Sequence, residues 1–219
     1  RDLRMSRGLG DVYKRQGYLI YNEDTKHYKL SRKLLTLGFR SLNEHNLLEI
    51  VLPHLRNLRD QVKETACFGV LGDQKGIFIE QAQGHHTFRF VLSPGKPFEL
   101  HCSAPGKAIM AYLPNTVRDY YLAQMEFTRY NARTITTPEA YMEELEKVRR
   151  QGYAMDNEEE LSGVVCVGTP IFNYTSYPCG AIWISGPKDR LSKEVIRQSV
   201  EYIKDTAQCI SRELGYSHI

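Results

Sequence analysis

Apolar residues recur along this chain with two periods, and the switches between them mark its elements. Leu48, Val51, Leu55, Leu58 and Val62 follow a three-four spacing, the seam of a single helix face. Asn46 is placed to cap this helix, with Glu49 three residues on as in a capping box. Pro53 falls inside it, so a kink or a later start is expected there. Ile196, Val200, Ile203, Ala207, Ile210 and Leu214 repeat the pattern, with Ser192 as cap and Gly215 as stop. Thr137-Pro138-Glu139 combines a cap, a proline at the first helical position and an acid in the first turn; that helix should run to about Gln151 and stop at Gly152. Shorter helices are expected from Ser103 through Leu113, from Asn115 or Thr116 to about Gln124, and from Ser31 through Leu37 to a stop at Gly38.

Between the helices the pattern becomes strand-like. Tyr18 to Tyr21 and His27 to Leu30 flank a polar turn and read as a hairpin. Ala66 to Leu71 and Gly76 to Gln81 flank Gly72-Asp-Gln-Lys as a second hairpin, and Phe88 to Leu92 is expected to add a strand. Two core strands follow at about 164–172 and 179–185, joined by a polar turn. Strands, helices, strands and a last helix, in that order, point to an α+β domain with one antiparallel sheet backed by helices. Residues 1–16 fit neither period and are expected to be non-native or disordered.

Composition narrows the classes. The 219 residues are 42% apolar, enough for a substantial core. No apolar run approaches the roughly 20 residues needed to cross a bilayer, so a soluble, cytoplasmic protein is expected. The five cysteines are odd in number and contain no CxxC pair, which suggests neither a disulfide framework nor a zinc ribbon. Net charge is +3 but uneven: residues 1–40 hold ten Lys and Arg against four Asp and Glu. That asymmetry fits a basic, nucleic-acid-facing end on a near-neutral domain, or a solvated end that merely looks basic.

Residues 152–172 carry the most chemistry. An acidic turn leads through Ser162-Gly163 into an apolar strand, and a second strand ends at Ser185-Gly186-Pro187. If the two strands pair, Asp156, Cys166 and Ser185 come together, a grouping suited to orienting a small polar ligand.

Four pieces in order resemble the IclR family of transcription regulators, from Gly17 to about Tyr216. Gly17-Tyr-Leu-Ile with His27-Tyr-Lys-Leu and Leu34-Leu-Thr-Leu-Gly38 resembles the wing and linker start of that family's winged helix-turn-helix. His101-Cys-Ser-Ala-Pro-Gly-Lys-Ala108 resembles its pocket helix. Asp156-Asn-Glu-Glu-Glu with Ser162-Gly-Val-Val-Cys-Val-Gly-Thr-Pro170 resembles its signature, and Ile182-Trp-Ile-Ser-Gly-Pro187 its last core strand. The resemblance implies a GAF-like effector-binding domain over residues 45–219, preceded at 17–44 by a linker and a remnant of the DNA-binding domain. It also implies dimers or tetramers, a small organic, aromatic or sugar acid as effector, operator DNA for the complete protein, and no cofactor.

Site residues follow position by position. Asp156, Cys166 and Ser185 stand at the family's ligand positions, with Ser103, Ala104 and Pro105 on the pocket helix. Pro105 has no amide hydrogen, so that donor is lost or supplied by Gly106. Trp183 replaces a serine that some members carry, which would shrink the pocket or offer a stacking face; Phe90 and Phe98 are expected along the wall. The family's recognition helix should precede the wing, and only 16 unfitting residues do. Lys26, Lys29, Arg32 and Lys33 are therefore expected to make at most weak, salt-sensitive DNA contacts. The competing readings are a stand-alone sensor domain and a cysteine-dependent enzyme, with Cys166 as nucleophile and His101 or Asp156 as its partner. A metal site at His85-His86 and His101-Cys102 lacks any usual spacing.

Overall fold

A computed structural model describes residues 7–34 and 47–217, with side chains from 11 onward. The chain divides into two compact units, one ending at Leu47 and one starting at Leu48.

In the first unit, α1 (Arg7–Arg15) precedes β1 (Leu19–Asn22) and β2 (His27–Leu30). The strands pair antiparallel as a hairpin, Leu19 opposite Leu30. The helix places Arg7–Arg15 in regular structure, where the sequence shows neither helical nor strand periodicity. The Tyr18 amide donates to the Tyr13 carbonyl at 2.9 Å, and the Lys14 ammonium lies 5.1 Å from the Tyr21 ring centroid. Basic residues and two glycines obscure the helix in the sequence, and the hairpin holds its C-terminal end. A helical turn begins at Lys33 behind Ser31, whose hydroxyl accepts from the Lys33 amide at 3.1 Å. Its expected course to Gly38, and the Asn46 cap, lie outside the described residues.

The second unit opens with α2 (Leu47–Val62), which runs through Pro53 without a break. Val51, Leu55 and Leu58 of the expected seam are fully buried, each worth roughly 1.5–3 kcal/mol. Six strands follow: β3 (Thr65–Leu71), β4 (Gly76–Ala82), β5 (Pro97–Phe98), β6 (Ala154–Asn157), β7 (Val164–Phe172) and β8 (Pro178–Pro187). They form one curled antiparallel sheet in the order β5-β4-β3-β8-β7-β6. The helices are α3 (Ala104–Tyr112), α4 (Asn115–Gln124), α5 (Pro138–Gln151) and α6 (Lys193–Glu213). Ser103, Thr137 and Ser192 cap α3, α5 and α6 through their hydroxyls.

Pleating sends alternate residues to opposite faces. Val165, Val167, Ile171, Ile182 and Ile184 are buried on one face, and α6 packs along β7 and β8 there. Cys166 and Gly168 on β7, with Trp183 and Ser185 on β8, turn to the other face. There α3 comes close: a Cβ on Gly168 would sit 3.3 Å from the Ala104 carbonyl carbon. Behind α3 lies a core of Ile109, Met110, Tyr141, Leu145 and Val148.

Two expectations fail. Phe88 to Leu92 is not a strand. The Gln81 side chain takes the Leu92 amide and carbonyl at 3.1 and 2.8 Å, and the Thr65 hydroxyl donates to the Phe90 carbonyl at 2.8 Å. Side chains thus satisfy the backbone groups that a ladder would have used, and the segment becomes a strap. Conversely, β6 pairs with β7 where only an acidic turn was expected.

Candidate functional site

The strand register builds the site. Asp156 lies opposite Cys166, and Cys166 opposite Ser185, so three polar side chains form one row across β6, β7 and β8. The Cys166 Sγ is 3.2 Å from the Ser185 Oγ. The row borders a cavity of about 90 Å³ between the sheet, the N-terminus of α3 and the strap. That is room for only a few water molecules. Among the expected residues, Ser103, Ala104, Pro105, Asp156, Cys166, Trp183, Ser185, Phe90 and Phe98 all line it.

Gly106 does not. Its amide donates to the Ser103 hydroxyl at 3.1 Å, so it cannot replace the donor missing at Pro105. Gly106 instead meets the preceding turn, where a Cβ would sit 2.6 Å from the Glu99 carbonyl oxygen. The Lys107 amide goes to the Ser103 carbonyl. Of the amides opening α3, only that of Ala104 is left for a ligand.

The sequence reading missed Phe78, Lys96, Glu160 and Leu161, which also line the cavity. Lys96 and Leu161 are exposed at its edge. Glu160 was visible only as part of an acidic run; its direction depends on the turn. That turn is bound tightly. Glu158, at φ 63°, pairs with Arg133 and with Lys188, and the Asn131 side-chain amide donates to the Glu158 and Glu159 carbonyls at 2.8 and 3.1 Å.

Carboxyl groups gather in the site with little positive charge beside them. Asp156 is 4% exposed. Its Oδ1 accepts from the Glu159 amide at 2.7 Å, yet burial pushes the carboxyl up to about 7. Burial also raises Glu160, with the Glu99 charge adding to it. Lys107 is fully buried but gives its ammonium to Glu159 Oε1 at 2.5 Å, and its charge only partly offsets the burial of Asp156. The Cys166 thiol is driven well above its usual range, first by burial and then by the Asp156 charge. A thiol held protonated is a poor nucleophile.

Aromatic rings continue the wall beside the polar row. Phe98 and Trp183 meet edge to face with centroids 5.5 Å apart, and Phe78 and Trp183 do so at 6.0 Å. The histidines weighed for a metal site have protein partners: His85 pairs with Asp60 at 2.8 Å, while His101 is buried with its Nε2 3.0 Å from the Thr128 carbonyl. Among the described residues no group of three or more His, Cys, Asp or Glu is arranged to hold a metal ion.

A GAF-like sheet carrying a small polar-and-aromatic cavity at a helix N-terminus is the effector-binding domain of a transcription regulator. The chain belongs to the IclR family: the family described as Bacterial transcriptional regulator IclR C-terminal matches residues 39–212. It is 30% identical over 200 residues to the HTH-type transcriptional regulator KdgR of Escherichia coli (strain K12), covering 91% of this chain and 76% of that protein. It is 31% identical over 185 residues to the transcriptional repressor IclR of the same organism, covering 84% and 68%. The crystal structure of the Thermotoga maritima IclR is similar over 94% of this chain and 83% of that one, with a TM-score of 0.77 and 33% identity. Regulators of this family bind DNA and small-molecule effectors and self-associate. No described helix is long and apolar enough to cross a membrane.

Proposed function

We propose that this chain senses a small organic acid in the cavity bordered by Asp156, Cys166 and Ser185, and that the occupied cavity alters how the complete regulator binds operator DNA. The row of three polar side chains facing one solvent-reachable cavity carries this reading. Ser185 and Cys166 orient the ligand, and the Phe90, Phe98 and Trp183 rings exclude water around it. Lys96 at the mouth and the Ala104 amide receive the carboxylate. The complete protein works in the cytoplasm as a dimer or a pair of dimers. Catalysis by Cys166 is disfavoured by the burial that keeps its thiol protonated.

Thermal unfolding against a panel of aliphatic, aromatic and sugar acids tests the reading, with Ser185→Ala beside the wild type. A ligand at 100 times its Kd adds about 2.7 kcal/mol, a shift of very roughly 5–10 °C for a domain of this size. A shift present in the wild type and reduced in Ser185→Ala is expected. Shifts that are equal in both proteins would place the ligand elsewhere.

A further inference from the structure

A carboxylate entering this cavity meets another carboxyl and no uncommitted cation. The space is about 90 Å³ and Asp156 lines it, so a ligand inside lies beside the polar row. The cations around it have partners. Lys107 gives its ammonium to Glu159 at 2.5 Å, with Glu144 at 3.8 Å. Arg133 and Lys188 pair with Glu158, and Lys75 pairs with Glu99. Lys96 is exposed at the mouth, where solvent and salt screen its charge. The α3 N-terminus offers only the Ala104 amide, because Pro105 has no amide hydrogen and the Gly106 and Lys107 amides bond Ser103.

Asp156 itself is half committed. Its Oδ1 accepts from the Glu159 amide at 2.7 Å, while nothing among the described residues bonds its Oδ2. The titratable groups around it are Glu159 and Glu160 of the turn, Lys107 of α3, Cys102 just before α3, and Cys166 of β7. Only Lys107 among them is a cation, and Glu159 holds it. Two carboxylates side by side in a space that excludes water cannot both keep their charge; they share one proton and titrate as a pair. Asp156 is prepared for this, because burial, opposed by the Glu159 amide, brings its carboxyl up to about 7.

We infer that the effector's carboxylate enters together with one proton, which Asp156 carries on Oδ2 and donates to the ligand. The ligand anion, the ionised Asp156 and one proton from solvent give a complex of net charge −1, in which a single charge-assisted O–H···O bond joins the two carboxyl groups. This rests on the reading of the cavity as the effector site and adds what the anion brings with it. Above the value at which free Asp156 ionises, affinity falls as pH rises. Below it the proton is already in place and affinity levels off.

Calorimetry on the full chain with acetate, lactate and benzoate tests the inference. At pH 8 the heat of binding should differ between HEPES and Tris, whose ionisation enthalpies differ, by the amount that uptake of about one proton requires. Between pH 6.5 and 8.5 the affinity should fall at least tenfold, about 1.4 kcal/mol. Asp156→Asn keeps the acceptor for the Glu159 amide and places an amide nitrogen where the proton would sit. It should abolish both the uptake and the pH dependence. Glu160→Gln should keep the uptake, which gives a reading even if Asp156→Asn folds poorly. Binding without proton uptake, as for a carboxylate held at Lys96, would overturn the inference and leave the organic-acid sensor intact. So would an uptake that Glu160→Gln removes and Asp156→Asn retains. Binding by none of the three acids would also overturn it, while the wider acid panel with Ser185→Ala separately decides whether the cavity is the effector site.

Discussion

Asp156 shows how much one residue type leaves undetermined. Its place beside Cys166 and Ser185 was legible, because two apolar strands with polar residues at their ends pair in few ways. Its ionisation was not, because that depends on burial by the turn 157–163 and on Lys107 being occupied elsewhere. The consequence is a pH dependence. A carboxyl whose folded value is raised from 3.8 to about 7 keeps its proton in the folded state when the unfolded chain has lost it. Stability is therefore lost as pH rises between about 4 and 7, by at most about 1.4 kcal/mol per unit. The Glu159 and Glu160 carboxyls that share this surrounding are raised by burial as well and add in the same direction, whereas the Lys107 charge opposes it. Glu158, lowered to about 2 mainly by its bond to Lys188, acts oppositely, and its stabilisation is lost as pH falls below about 4.5. Denaturant titrations from pH 5 to 8 should show a declining stability that Asp156→Asn flattens; an unchanged slope in the variant would assign the decline to other groups. Gly106 gives a second residue-level expectation. Its Cβ position lies 2.6 Å from both the Glu99 carbonyl oxygen and the Leu100 Cα, which are backbone atoms with little freedom to yield. Gly106→Ala should cost about 1–3 kcal/mol, seen as a melting point lower by roughly 2–4 °C for each kcal/mol.

At the level of elements, sequence periodicity worked where a helix or strand buries its own repeating face. The seam of α2, the long α6, the capped α5 and the paired β7 and β8 were all readable for that reason. It failed where another element supplies the stabilisation. The strap at 88–92 has strand-like residues, yet the Thr65 and Gln81 side chains occupy its backbone groups. β6 is short and half polar, and its existence depends on the β7 edge. The apolar face of α1 is only Leu9, Val12 and Tyr13, too short to stand out in the sequence. The strap invites a direct test. Thr65 is fully buried; its hydroxyl donates to the Phe90 carbonyl and accepts from the Gly84 amide at 3.0 Å. Thr65→Val preserves the shape and removes both bonds, leaving a buried amide unpaired at a cost of about 1–3 kcal/mol. Hydrogen exchange at residues 84–92 should accelerate more than in the α6 helix; uniform acceleration would mean that the strap opens only with the whole domain.

Across the whole molecule, the family membership and the cavity describe a regulator read mainly through its sensing domain. The basic residues of the first unit are exposed at Lys26, Lys29 and Arg32, whereas the Lys33 ammonium bonds the Gln16 carbonyl at 2.8 Å and lies 5.0 Å from the Tyr18 ring centroid. Contacts from Lys26, which also pairs with Glu23, Lys29 and Arg32 together contribute about −3 to the logarithmic salt slope for duplex DNA. Fluorescence anisotropy with this chain should find weak binding of that slope, and nanomolar, sequence-dependent binding would contradict it. The central claim is that the effector occupies the cavity beside Trp183. Trp183 is the single tryptophan of the chain and is 3% exposed, so its fluorescence reports on that space alone. Titration of whichever compound raises the melting temperature should change the Trp183 emission saturably, with the same Kd as calorimetry gives. A compound that binds in the calorimeter and leaves Trp183 emission unchanged would contradict the placement of the effector site.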